Sequence, residues 1–288
     1  MMKDRHVVEA IGMTRIVIED GKIVDAGEPK IRFCPFAKRF AVPVNPVTSE
    51  NVAKNIEGRI NSFGMCRRDR EVEGTESMVL FGASELLMTA LEKKLIDAAV
   101  ICCDGAGTVV VPSPKLVQGI GGKMSGLVKT VPYPEVISRI EEAGGFVADK
   151  EFAALDPVRG ILCARAHGFA KIAVTVAGTD HELAESIRAQ YPDALIIAVH
   201  TSGVTSLENA RRLMKVCDLV FACASVFVRE AATECALVQG GVGVPVFAVS
   251  MAGKRIVLER LLETNEPFLV KNMRLPVTDM GRQPEPLI

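Results

Sequence analysis

Four cysteines fall where predicted strands end and loops begin, and they are the side chains best suited to chemistry. They are Cys34, Cys66, Cys102 and Cys103. If three or four of these thiolates converge, they could bind an iron–sulfur cluster or zinc. Alternatively Cys66 or Cys103, activated by Lys123 or a helix N-terminus, could act as a nucleophile. Inert buried thiols are the third interpretation, and sequence spacing alone does not decide among the three.

An acidic residue and a glycine-rich segment follow the second pair of thiols. Residues 98–103 have the length and β-branched content of a buried strand, and Asp104 directly after it is a candidate acid or base. A strand that leads into such a segment is a common way to build a ligand site in α/β proteins. The glycines that would let the backbone approach a ligand there are Gly105, Gly107, Gly119, Gly121 and Gly122.

Residues 119–126 superficially resemble a phosphate-binding loop. The match is incomplete, because Val117 stands where the first glycine belongs and Met124 follows the lysine. A less regular cradle for phosphate or carboxylate is still open, with backbone amides, Lys123 and Ser125 as its parts. The alternative is a tight loop with a solvated lysine.

Strands and helices alternate regularly in the second half of the chain. The predicted strands cover residues 171–176, 194–199, 219–222 and 244–249. Helical connections between them predict a parallel sheet with helices on both faces. The first half predicts mixed α/β structure, with a hairpin around Asp20-Gly21. We therefore expect an α/β fold with a mixed domain at residues 1–150, a Rossmann-like domain at residues 151–288 and an extended or mobile tail.

Ligands of parallel sheets bind beyond the carboxyl ends of the strands, and this rule nominates further residues. His200 ends one strand and is a candidate acid, base or ligand contact, although it could simply bond to its own loop. Thr201, Ser202 and Ser225 are candidate ligand contacts or helix caps. We expect the site to lie where the two halves meet.

Composition excludes several classes of function. The chain has 34 basic and 35 acidic side chains, no Trp and two Tyr, so it lacks the charge and stacking groups of a nucleic-acid-binding protein. It has no apolar run long enough to span a membrane, which favours a soluble cytoplasmic protein. The expected partner is a small anionic ligand or coenzyme, and a homo-oligomer is possible.

Several strings of residues resemble a known family. They include residues 7–12, Cys34-Pro35, residues 63–66, 81–85, 103–108 and 118–122, His200-Thr201 and residues 222–225. Over most of its length the chain resembles the methanogenesis marker protein 8 family, archaeal proteins with bacterial relatives.

The resemblance implies a link to methanogenesis and no established catalytic residues. The link would be to the maturation of methyl-coenzyme M reductase or the handling of its cofactors, together with protein partners of methane metabolism. A non-catalytic module that binds a nucleotide or phosphorylated coenzyme, and a scaffold in a multiprotein complex, are the alternatives.

Overall fold

The computed structural model of the chain describes residues 4–124 and 126–288. The strands in this part of the chain are β1 (Arg5–Ala10), β2 (Thr14–Glu19), β3 (Lys22–Ala26), β4 (Ala98–Cys103), β5 (Gly107–Val111), β6 (Gly126–Lys129), β7 (Phe146–Val147), β8 (Ile172–Ala177), β9 (Leu195–Val199), β10 (Leu219–Phe221), β11 (Val238–Gly240) and β12 (Val246–Ala248). The α-helices are α1 (Ser49–Phe63), α2 (Ala83–Glu92), α3 (Pro114–Ile120), α4 (Pro134–Glu142), α5 (Pro157–Ala166), α6 (His181–Gln190), α7 (Leu207–Val216), α8 (Val226–Cys235) and α9 (Met251–Leu262).

The smaller sheet has the order β3-β2-β1-β6, and its neighbouring strands are antiparallel. Its hairpin turn is formed by Asp20 and Gly21, which both have positive φ, as two-residue hairpins prefer. Alternate residues of β2, Ile16 and Ile18, are buried against the apolar face of α1. Thr48 begins that helix by accepting a hydrogen bond from the backbone N–H of Asn51.

The larger sheet has eight strands in the order β11-β12-β10-β9-β8-β4-β5-β7. The four central strands β10, β9, β8 and β4 are parallel. One face packs against α2, α3, α4 and α9, and the other against α5, α6, α7 and α8. The predicted α/β fold with helices on both faces is confirmed.

One strand that was predicted to be parallel to its neighbour is antiparallel to it. The strand expected at residues 244–249 is β12, and it pairs with β10 in antiparallel register. The sequence predicted only a helical connection between the strands at residues 219–222 and 244–249, and it did not predict β11. After α8 the chain forms β11 at the sheet edge, and a short turn then reverses it so that β12 lies between β11 and β10.

The larger sheet also crosses the predicted domain boundary at residue 150. Strand β4 pairs directly with β8, through Ala98 with Ile172 and Val100 with Val174. Strands β5 and β7 extend the same sheet on the other side of β4. Both parts of the chain therefore contribute strands to the larger sheet, and β1, β2, β3 and β6 form the smaller one.

Candidate functional site

Two adjoining cavities lie beyond the carboxyl ends of β8, β9 and β10, where the smaller sheet approaches the larger one. Cavity 1 has a volume of about 360 Å³ and cavity 2 about 380 Å³. Each lies within the range of small-molecule sites, roughly 300–1,000 Å³. Their shared wall includes Glu9, Met13, Ser84, Gly121, Met124 and His200.

His200 lies in this shared wall. It directly follows β9 and has a φ of 53°, an uncommon conformation for a residue with a side chain. Gly126 of the neighbouring sheet lies so close that a Cβ atom there would be 3.3 Å from Nδ1 of His200. The surrounding protein lowers the pKa of the imidazole, because it disfavours the charged form. A neutral imidazole that faces both cavities is suited to accept a proton.

Glu9 supplies the carboxylate of the shared wall, and it was not among the residues predicted from the sequence. It lies in β1, paired with Gly126. Burial raises the pKa of Glu9, and the positive charge of Lys30 opposes this rise. The signal was available in the sequence, since Glu9 interrupts an apolar strand.

Two arginines that were not nominated from the sequence line cavity 1, together with the carboxylates of Glu9 and Glu85. Arg59 projects from α1 with its guanidinium 5.0 Å from the centre of the Phe40 ring, and the exposed Arg39 lies at the rim. Burial lowers the pKa of Arg59 to about 10, so the group is still a cation at neutral pH. Phe36 and Phe81 add apolar surface. The part of the cavity next to Arg59 thus suits an anionic group, and the phenylalanines suit an apolar part of the same ligand.

The predicted hydroxyl contacts have different surroundings. Ser202 lines cavity 1, and its oxygen accepts a hydrogen bond of 3.1 Å from the N–H of Ala224. Thr201 is buried and donates from its hydroxyl to the carbonyl of Phe221 at 2.5 Å. Both therefore brace the turn that follows β10. Ser225 is fully buried, lines neither cavity and caps α8.

Of the predicted ligand-binding glycines, two reach the cavities. Gly121 lines both, and Gly122 lines cavity 1. Gly105 and Gly107 have positive φ and pack closely on Tyr133 and Ala153, while Gly119 lies inside α3 against the backbone of residues 72–73. These last three glycines permit close packing of backbone segments away from the cavities.

The expected anion cradle at residues 119–126 is not formed by the described residues. The N–H groups of Gly121 and Gly122 donate to the carbonyl of Val117 and continue the turn of α3. Lys123 forms an ion pair with Glu71 at 3.4 Å. The sequence predicted either a cradle or a tight loop over this segment, but the buried apolar residues of α3 make its first residues the end of a helix. Ser125 lies outside the described residues.

Asp104 forms a buried ion pair with Arg70, with 3.0 Å between its Oδ1 atom and the arginine Nε. Its Oδ2 atom accepts a hydrogen bond of 2.5 Å from the backbone N–H of Cys66. Asp104, Cys66 and Cys103 are all fully buried, and none of them lines either cavity. Burial also raises the pKa of the Cys66 and Cys103 thiols. This arrangement holds the segment after α1 against β4 and leaves no group accessible to a substrate.

The four cysteines expected to converge point in three directions. Cys103 and Cys66 are buried together, Cys102 lines cavity 2, and Cys34 lines cavity 1. Cys102 and Cys103 diverge because successive residues of a strand face opposite sides of a sheet. Among the described residues, no group of three or more His, Cys, Asp or Glu side chains could hold a metal ion. The donor set expected for an iron–sulfur cluster or zinc is therefore not assembled in this part of the chain.

A further thiol, Cys223, lines cavity 1 together with Cys34. It lies in the turn between β10 and α8 and has a φ of 44°. Burial raises the pKa of the Cys223 thiol, and hydrogen bonds from Thr201 and the charge of Arg229 oppose this rise. The carboxyl-end rule pointed to this turn, but Ser225 was selected there instead of the cysteine.

The fold and the cavities define an α/β protein with a candidate small-molecule cleft between its two sheets. The chain belongs to the family described as an uncharacterised protein conserved in archaea (DUF2099), which it matches over residues 6–262. It is 42% identical over 286 residues to an uncharacterised protein of Methanocaldococcus jannaschii, across 99% of this chain and 100% of that protein. None of the helices described here is long and apolar enough to cross a membrane.

Proposed function

We propose that this protein binds a small anionic coenzyme with an apolar part in the cleft formed by cavities 1 and 2. The observation that carries this proposal is the pair of adjoining cavities at the carboxyl ends of parallel strands, with His200 and Glu9 in their shared wall. The guanidinium of Arg59 would contact the anionic group, and the phenylalanines would contact the apolar part. His200 would exchange protons with the bound molecule.

The biological setting that we propose is anaerobic one-carbon metabolism. The support is the resemblance of the sequence to the methanogenesis marker protein 8 family, together with the archaeal family match. In this setting the protein would take part in the maturation of methyl-coenzyme M reductase or in the handling of its cofactors. Deletion of the gene in a methanogen should then lower methyl-coenzyme M reductase activity in extracts, whereas unchanged activity would argue against this role.

Ligand binding is tested by thermal unfolding with NAD, coenzyme A, FMN and inorganic phosphate as probes. Because the chain has no Trp, circular dichroism is a better probe of unfolding than intrinsic fluorescence. A ligand at 100 times its Kd should stabilise the folded state by about 2.7 kcal/mol. We expect at least one phosphorylated coenzyme to raise Tm more than inorganic phosphate does.

Arg59→Gln should reduce this ligand-dependent rise, measured against the ligand-free variant. Arg211→Gln is the matched control, since Arg211 pairs with Glu234 on the exposed surface and lines neither cavity. If none of the coenzymes changes Tm, or if both variants respond alike, the proposed anionic ligand is wrong.

A further inference from the structure

Two thiols from distant parts of the chain share cavity 1. Cys34 lies in the loop after β3 and Cys223 in the turn after β10, and both are partly exposed. Both side chains line the same cavity of about 360 Å³, so the two thiols face a common space. The fully buried Cys66 and Cys103 have no such access.

The C-terminal tail links the two segments that carry these thiols. The N–H of Phe33 donates to the carbonyl of Glu285 at 3.0 Å, and the N–H of Ile288 donates to the carbonyl of Ala224 at 2.8 Å. Three residues of extended chain span at most about 10 Å. The neighbours of Cys34 and of Cys223 are therefore tied together through a short strap.

A buried arginine fixes the Cys223 turn from the other side. Arg229 donates from Nη2 to the carbonyls of Cys223 at 2.8 Å and Gly243 at 3.1 Å. Pro35, next to Cys34, packs so closely on Gly243 that a Cβ there would lie 3.2 Å from its ring. The loop that carries Cys34 thus packs on Gly243, and Arg229 bonds to both Gly243 and the Cys223 turn.

We propose that Cys223 and Cys34 form a thiol–disulfide exchange pair that acts on a small anionic disulfide bound in cavity 1. The anionic character of the substrate rests on the proposed function, whereas the pairing of the thiols rests on the contacts above.

The exchange consists of two displacements. The Cys223 thiolate attacks one sulfur of the substrate disulfide, a Cys223–substrate disulfide forms, and the other half departs as a thiolate. That thiolate takes up the proton that Cys223 gave up, with the neutral imidazole of His200 as the base in the same cavity. Cys34 then attacks the Cys223 sulfur, which forms a Cys34–Cys223 disulfide and releases the second half as a thiol. The protein loses two electrons and two protons, and the substrate gains them.

The test starts from the reduced Cys163→Ser/Cys235→Ser protein, because Cys163 and Cys235 are at least partly exposed and line neither cavity. Dithiodipropionate is the anionic probe, and cystamine is a cationic disulfide of similar size. Dithiodipropionate should remove two hydrogens from the protein mass and yield a cross-linked peptide with Cys34 and Cys223. We expect this reaction to be up to about fivefold faster than that of cystamine at low salt, because the guanidinium of Arg59 would contact the carboxylate of the probe.

Single substitutions separate the two displacements. Cys34→Ser should stop at a substrate adduct on Cys223, whereas Cys223→Ser should form no adduct in cavity 1. An absence of reaction, a bond between any other two cysteines, or an adduct on Cys34 in the Cys223→Ser protein would overturn the proposal.

The two proposals can fail separately. If the Cys34–Cys223 bond forms equally fast with both probes and no anion raises Tm, the proposed anionic ligand is wrong and the exchange pair is supported. If anionic coenzymes raise Tm but no bond forms, the pair alone fails.

Discussion

The side chains that could do chemistry divide into an enclosed group and an accessible group. Asp104, Cys66 and Cys103 are enclosed, with the polar atoms of Asp104 already engaged by protein groups. Glu9 and His200 line the cavities. Enclosed groups should therefore affect stability when changed, and accessible groups should affect binding.

Asp104→Asn should destabilise the fold by about 3–5 kcal/mol, because it leaves the guanidinium of Arg70 buried without its counter-charge. Urea denaturation measures this loss. Asp193→Asn is the control: it breaks an exposed ion pair with Arg165 and should leave the free energy of unfolding nearly unchanged. A stable Asp104→Asn protein that fails to bind ligand would instead show a direct functional role.

The pKa of His200 should make stability depend weakly on pH, because the side chain is exposed to the cavities and solvent screens its charge. Its pKa in the folded state lies below the ordinary value of 6.5, so the unfolded chain binds the proton more readily. The stabilisation is present above 6.5 and is lost as pH falls through the interval between the two values. Urea denaturation at neutral and mildly acidic pH should show a smaller loss on acidification in His200→Gln than in the original protein. Equal losses would contradict this assignment.

The sequence could predict part of the cleft and not the rest. His200 lies at a strand end, and the carboxyl-end rule follows from the chain pattern alone. Glu9 and Arg59 belong to β1 and α1, and they reach the cleft only because the smaller sheet packs against the larger one. That approach depends on contacts between segments far apart in the chain, for which periodicity gives no signal.

At the level of elements, the glycine-rich segment shows how packing selects between a loop and a helix. Its glycines predicted a loop, yet Leu116, Val117 and Ile120 are buried and place α3 in the core. Gly119 is needed because the backbone of residues 72–73 crosses at this point. The edge strand β11 was missed for a related reason, since three residues carry too little pattern to separate a strand from the end of α8.

Gly119→Ala should cost about 1–3 kcal/mol or more, because the added Cβ would lie 2.3 Å from backbone atoms of Val72 and Glu73. Gly27→Ala is the control, since the nearest atom to its added Cβ is at an ordinary contact distance of 3.4 Å. We expect the control to change stability by no more than about 0.5 kcal/mol in urea denaturation. Equal effects in the two variants would show that α3 does not pack as described.

At the scale of the whole molecule, the main feature is that one continuous sheet contains strands from both halves of the chain. The central strand β4 comes from the first half of the chain and its neighbour β8 from the second. Most segments that were predicted to be strands are strands in the structure. Sequence patterns do not reveal which of them pair when they lie far apart in the chain. The order of the sheet therefore had to come from the structure.

Fragments of residues 1–150 and 151–288 should not fold when they are produced separately. Each would expose one unpaired edge of the central sheet, at β4 or β8, together with apolar surface from both faces. Circular dichroism and hydrogen exchange should show little cooperative structure in either fragment and recovery when the two are mixed. Cooperative unfolding of an isolated fragment would instead support two independent domains.

The strap at residues 285–288 also affects when the cleft can form during translation. Ribosomes build chains from the amino end, so this segment emerges after both loops that it joins. A growing chain would contain Cys34 and Cys223 before it contained the segment that links their two loops. The cleft would then become complete only after residues 285–288 had emerged, when the strands of both sheets were already available to pair.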